Sequence, residues 1–276
     1  MLHCAEGGEP ITGYYYTHEG RPYCDRHYFQ RFGERCSIGG EILRGRVWRN
    51  CWGETYCQEH AAGLPKCGCC HRHVCSRLTG GGVRYGDGRV VCHRCRATAI
   101  DHEAQGRPVM REVCRVLKNV GGLDLGDGAW IGLELGDRDD LACDPPLTIR
   151  NAWGLAHYRE QEIKGRPAAW FTVQILHGLS RAQFAAICAH ELGHIYMYRH
   201  DFPALTAKVS EGLCEIAKFT WLMEQRTKDS EVQLRSLARN RDPIYGAGFH
   251  AAYRALYGRR LIDVFDHVRR TGHLPP

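Results

Sequence analysis

Hydrophobic and polar positions follow two different patterns along this chain. Over residues 1–97 the apolar positions come in short pieces, such as Gly13-Tyr14-Tyr15-Tyr16 and Gly45-Arg46-Val47-Trp48, set among cysteines and glycines. Pieces of that length predict hairpin arms. Beyond them Val109, Val113, Val116, Leu117 and Val120 recur at helical spacing, and Gly121-Gly122 closes the run. Pro108 suits the first position of such a helix, because its fixed φ and missing N–H cost nothing there. Strand-like segments follow at 130–135, 147–150 and 169–176, bounded by Gly, Asp and Pro clusters that include Pro145-Pro146. After Ser180, a good N-cap, the pattern turns helical and largely stays so to Val268. Strands followed by helices predict a segregated α+β domain over residues 98–276, preceded by small modules over 1–97.

Composition changes this picture at one point. The 43% hydrophobic and 25% charged residues are those of an ordinary globular protein. No apolar run approaches the roughly 18–20 residues of a membrane span, and Met1 to Pro10 does not read as a secretion signal. The anomaly is 15 Cys and 16 His, with eleven of the Cys at or before Cys95. An odd, clustered, His-accompanied set without a secretion signal predicts metal thiolates in a reducing, cytoplasmic setting. Residues 1–100 carry 14 Lys and Arg against 9 Asp and Glu. That +5 falls to +2 once nine thiolates hold three Zn²⁺. There is no dense basic stripe of the kind that tracks phosphates, so a nucleic-acid partner is not expected, and neither is a membrane.

One spacing pattern occurs three times before residue 96. The third copy is complete: Cys67-x2-Cys70 and, 21 residues later, Cys92-x2-Cys95. Two such knuckles let four thiolates meet around one structural Zn²⁺. In the first two copies Gly7 and Gly39 stand where the second Cys belongs. Cys4, Cys24 and His27 remain in one, Cys36, Cys57 and His60 in the next. His18 and Cys51 each lie six residues before the closing knuckle, and Gly86 takes that offset in the intact copy. The predicted sites are therefore Cys4, His18, Cys24, His27 and Cys36, Cys51, Cys57, His60. Cys69, His71, His73 and Cys75 crowd the third site as bystanders. The string Tyr23-Cys24-Asp25-Arg26-His27-Tyr28-Phe29 resembles LIM domains, and LIM modules bind proteins.

Within the first long helical stretch sits His190-Glu191-Leu192-Gly193-His194. Residues four apart on a helix share a face, so both imidazoles can reach one metal while Glu191 flanks it as a general base. This is the zincin motif. Two residues compete to be the third ligand. His200 has metzincin spacing, but Met197 stands where that pattern needs Gly. Glu211, in Ser210-Glu211-Gly212-Leu213-Cys214-Glu215, resembles the completing glutamate of gluzincin peptidases, with Glu215 orienting a histidine.

Several strings together extend the likeness: Ile175-Leu176-His177-Gly178-Leu179, Ala189 to His194, Ser210 to Cys214, Tyr245-Gly246-Ala247-Gly248-Phe249, and Arg270-Thr271-Gly272-His273-Leu274-Pro275. The chain resembles the plant LIM-domain, ubiquitin-activated metallopeptidases that restrict organ growth, as a bacterial-type relative. The resemblance implies LIM-like zinc modules followed by a gluzincin-like peptidase domain. It also implies an endopeptidase that cleaves proteins, with one catalytic Zn²⁺ on His190, His194 and Glu211 besides about three structural ones. Glu191 would be the base and Tyr245 the oxyanion donor, with His250 behind it. As in other zincins, the strand ending at Leu176 and His177 is expected to pair with substrate. Ubiquitin activation is not carried over: ubiquitin-interacting helices are absent from this sequence and the LIM ligands are altered. The alternative is a non-catalytic, zinc-stabilised adaptor for protein partners.

Overall fold

The computed structural model describes residues 1–141, 152–163 and 166–276. The expected strand at 147–150, with Pro145-Pro146, lies outside the described residues. Contacts divide the chain into two compact units, Met1–Cys67 with His71–Gly82, and Gly68–Cys70 with Val83–Pro276.

In the smaller unit one plan repeats: a knuckle, a strand pair and a short helix. The first copy has β1 (Tyr15–His18), β2 (Arg21–Cys24) and α1 (Asp25–Phe32). The second has β3 (Trp48–Arg49), β4 (Thr55–Tyr56) and α2 (Gln58–Ala61), and α3 (Ser76–Thr79) comes later. Each knuckle is closed by the same two backbone bonds. Cys4 N–H donates to the Glu9 carbonyl at 2.9 Å and Gly8 N–H to the Cys4 carbonyl at 2.8 Å. Cys36, Glu41 and Gly40 repeat them at 2.9 and 2.8 Å, and Cys67, Arg72 and His71 at 2.8 and 2.9 Å. The turn needs a left-handed residue, and Gly8 (φ +71°), Gly40 (φ +93°) and His71 (φ +59°) supply it.

The larger unit begins with β5 (Gly82–Arg84), β6 (Val90–Cys92), α4 (His93–Arg96) and β7 (Ala99–Ile100). It continues through α5 (Glu103–Val116), β8 (Gly132–Gly136), α6 (Arg138–Leu141), β9 (Gly154–Ile163), β10 (Arg166–Leu176) and β11 (Leu179–Ser180). Five helices follow: α7 (Arg181–Arg199), α8 (Ala207–Gln225), α9 (Lys228–Arg239), α10 (Tyr245–Leu256) and α11 (Leu261–Thr271). Residues 83–97, expected with the small modules, are thus grouped by their contacts with the larger unit. The reason is side-chain contact: Arg89 donates to the His177 carbonyl at 3.0 Å, and the Tyr85 ring lies 5.2 Å from that of His177. Arg89 also pairs with Asp87 at 2.5 Å, both side chains almost wholly buried. Losing one partner of such a pair strands the other charge, at about 3–5 kcal/mol.

The first helix of the α+β domain does not open at Pro108. It starts at Glu103, where Gln105 Oε1 accepts from the N–H groups of Asp101 and His102 at 2.9 and 3.2 Å. This cap outweighs the proline, which gives up a single i→i−4 bond inside the helix. The sheet order is β8-β10-β9. β10 is central, parallel to β8 (Thr172↔Gly132 to Leu176↔Gly136) and antiparallel to β9 (Arg166↔Ile163 to Ile175↔Gly154). Leu133, Val173 and Ile175 are buried, and α7 packs on β9 and β10. Among the described residues, no helix is long and apolar enough to cross a membrane.

Candidate active site

Helix α7 is buried almost all round from Phe184 to Met197, so its polar residues carry a desolvation cost that something must offset. The Ser180 hydroxyl caps it by accepting from Gln183 N–H at 3.4 Å. Helix α8 lies against it, and Gly193 permits the approach: a Cβ there would sit 3.1 Å from the Cys214 Cα. The contact explains the Leu-Gly interior of the histidine motif and brings Glu211 to the imidazoles.

Three donor atoms then converge. Glu211 Oε2 is 3.1 Å from His190 Nε2 and 3.6 Å from His194 Nε2. The other ring nitrogen of His190, Nδ1, faces Glu215 Oε1 at 3.3 Å, and Lys218 Nζ lies 3.3 Å from Glu215 Oε2. Burial alone would raise the Glu211 carboxyl, but its bonds to the two imidazoles outweigh that and hold it down to about 2. Glu215 is likewise brought to about 2, with Lys218 and His190 overcoming burial. Burial disfavours the charged His190 ring, yet Glu211 and Glu215 raise it to about 10. Cys214 Sγ also lies within 4.8 Å of donor atoms of both imidazoles. Burial, with the carboxylates of Glu211, Glu191 and Glu215, keeps it a protonated thiol. Glu211 is thus held ionised between the two imidazoles, and two imidazoles with one carboxylate would fit a divalent cation of the zinc kind.

Glu191 is buried beside these groups. Burial and the charges of Glu211 and Glu215 raise its carboxyl, and His190 and His194 pull the other way. A raised carboxyl is better matched to taking a proton near neutral pH. His200 is not part of the cluster. With Met197 buried, α7 runs on to Arg199, and the His200 ring packs 4.2 Å from that of Tyr196.

Helix α10 approaches α8 through paired glycines. A Cβ on Gly212 would lie 2.6 Å from the Gly248 carbonyl oxygen, and one on Gly248 would lie 2.5 Å from that of Lys208. This places Tyr245 with its ring 6.3 Å from His190. Burial, then Glu211 and Glu191, push its phenol up, so it stays a donor. Sequence reasoning missed a second phenol, Tyr198, whose ring stacks 6.2 Å from His194. Burial pushes it up to about 12. Its position, four residues after His194 on the same helical face, was the available signal.

The expectation that β10 pairs with substrate is corrected: both its edges are used, by β8 and β9. Among the described residues β9 pairs on one side only. Register sets Gly154, Ala156 and Tyr158 opposite Ile175, Val173 and Phe171, facing α7. A Cβ on Gly154 would lie 2.9 Å from Glu191 Oε1, so this edge runs past that buried carboxylate. The pattern of residues 154–163 does not mark them as a strand, since Arg159, Glu160 and Glu162 are charged and exposed along the ribbon.

The three knuckle modules gather donors too. Cys67, Cys70, Cys92 and Cys95 have their sulfurs within 4.8 Å of one another. In the first two modules the structure brings a different fourth donor to the cluster from the one expected. Glu9, not His18, joins Cys4, Cys24 and His27; Glu41, not Cys51, joins Cys36, Cys57 and His60. His27 Nδ1 lies 3.0 Å from Glu9 Oε1 and 3.4 Å from the sulfurs of Cys4 and Cys24. His60 Nδ1 lies 2.8 Å from Glu41 Oε1 and 3.0 Å from Cys57 Sγ. Gly7 and Gly39 leave the space these carboxylates occupy, since a Cβ there would be 2.0 and 2.2 Å from their Oε2 atoms. His18 instead stacks on Phe32 at 4.0 Å, and Cys51 is exposed. The missed signal was Gly-x-Glu, present at Gly7 and Gly39 and absent after Cys70. Burial works against the Cys4 thiolate, but N–H groups of Gly7, Cys24 and Glu6 lower it to about 6.

A family profile described as DA1-like, Protein DA1, matches residues 155–239, a stretch that holds β9, β10 and the site helices α7 and α8. Protein DA1-related 2 of Arabidopsis thaliana is 23% identical, the match covering 99% of this chain and 64% of that protein. Protein DA1 of the same plant is 21% identical over 99% of this chain and 63% of its own length. LIM domain-containing protein HDR3 of Oryza sativa subsp. japonica is 22% identical over 81% and 57%. The chain is thus similar to the plant DA1 and LIM-domain proteins, and it spans less than two thirds of the length of these relatives.

Proposed function

We propose that this chain is a zinc-dependent endopeptidase acting on protein substrates, with LIM-like modules that bind a protein partner or regulate it. The observation that carries this reading is the convergence of His190 Nε2, His194 Nε2 and Glu211 Oε2, with Glu191 buried beside them. A Zn²⁺ held there supplies Lewis acidity toward a carbonyl and a water molecule. Glu191 takes the proton of that water and delivers it to the leaving amine. Glu215, itself held by Lys218, keeps His190 Nδ1 engaged and Nε2 turned toward Glu211, where it would hold the metal. Tyr245 or Tyr198 donates to the oxyanion. The open edge of β9 accepts an extended substrate strand by backbone pairing. Unfolded casein incubated with the purified chain should be cleaved, a chelator should stop it, and added zinc should restore it. Casein left intact by zinc-loaded protein would favour the non-catalytic adaptor.

The structural sites are read as three more zinc ions. Metal analysis of the full chain is expected to give about four. Glu9→Ala and Glu41→Ala should each lower the content by about one, and His18→Ala and Cys51→Ser should leave it unchanged. Loss of zinc from the latter pair, with the glutamate variants at wild-type content, would restore the displaced-ligand arrangement.

A further inference from the structure

We propose that a cavity beside the candidate active site selects a large apolar side chain on the N-terminal side of the scissile bond. The inference rests on the peptidase reading and extends it to substrate choice. The cavity is about 330 Å³. Its walls come from Tyr158, Met197, Tyr198, Phe202 and Leu205, with Asp201 among them as the one charged group. Ser210, which also lines it, immediately precedes Glu211.

Its place along the substrate follows from the sheet. Gly154, at one end of β9, abuts Glu191. Tyr158 lies four residues further along the same inner face, roughly 13 Å away at about 3.3 Å per residue. A chain paired antiparallel with β9 runs from the Tyr158 end toward Gly154. Residues near Tyr158 therefore precede the scissile bond, by about four positions. Gly154 packs directly on Ile187 and Glu191, and Ala156 is the one inner-face residue between it and Tyr158. Tyr158 then meets Tyr198 at 6.2 Å between rings, and Tyr198 stacks on His194. The cavity wall and the metal-binding face of α7 are thus parts of one surface. Aromatic and thioether walls recognise an apolar side chain by area and dispersion, without directional demands.

The test is a peptide library, randomised on both sides of the cleaved bond, digested with the zinc-loaded full chain. Phe, Leu or Met should be enriched about tenfold or more about four residues before the cut, the discrimination an apolar pocket provides. Leu205→Asp should cut that enrichment about tenfold and favour Lys or Arg at the same position. Leu205→Trp, which fills the cavity, should shift the preference to Ala or Gly. Flat preference before the cut overturns the inference, as does a wild-type preference for Lys or Arg or an unchanged pattern in both variants. Casein cleaved alongside a flat library removes the pocket alone. Casein and library both left intact remove the peptidase reading and the pocket with it.

Discussion

Glu191→Gln is expected to lower casein cleavage by ~10²–10⁴ relative to wild type, the usual loss when a general base is removed. The amide is nearly the same size and keeps a hydrogen-bonding head in the buried position, so α7 should stay packed. Metal content should not change, because the proposed donors are His190, His194 and Glu211. Cleavage within about tenfold of wild type would mean that another group takes the proton. Loss of metal would instead make Glu191 a ligand. The two readouts therefore separate chemistry from binding.

The second large effect is expected from Glu211→Ala. It removes one of three converging donors and leaves His190 and His194 without the carboxylate that faces both rings. Disturbing an outer-shell partner alone ordinarily costs 10–100-fold in metal affinity, so loss of a direct ligand should exceed roughly 100-fold. His200→Ala should leave the metal in place, its ring being packed on Tyr196. Competition with a calibrated chelator measures both. Retained metal in Glu211→Ala with loss in His200→Ala would overturn the ligand assignment. Retention in both would point to Cys214, the other group within reach of the imidazoles.

Local features of the sequence carried far in this protein. The four-residue interval between His190 and His194 puts both rings on one face of any helix, whatever surrounds it. Met197 argued for an uninterrupted helix, and α7 indeed runs past it to Arg199. Cys67-x2-Cys70 is a self-contained turn closed by short-range backbone bonds, and Cys92-x2-Cys95 lies at the first turn of α4, so each presents its two sulfurs through near neighbours alone. The α+β character was equally visible, as period-two segments giving way to helical ones.

Less was legible where the deciding partner is distant in the chain or the signal is weak. An offset of six residues singled out His18 and Cys51, but hairpin geometry turns His18 onto Phe32 and leaves room beside Gly7 and Gly39 for Glu9 and Glu41. Gly193, Gly212 and Gly248 read as weak helix residues until α7, α8 and α10 are seen to touch through them. The edge strand β9 was hidden by its exposed charges. Its pairing with β10 gives that strand a partner on both sides; among the described residues β8 and β9 are each paired on one side only, and β9 is the one that passes Glu191. Sequence by itself determined the local constellations, since helix periodicity and knuckle turns need only near neighbours. Tertiary structure alone decided which glutamates complete the clusters, which phenols face the histidines and which strand edge is open. Those depend on how closely separate elements can pack, and side-chain volumes settle that only once the elements are in contact.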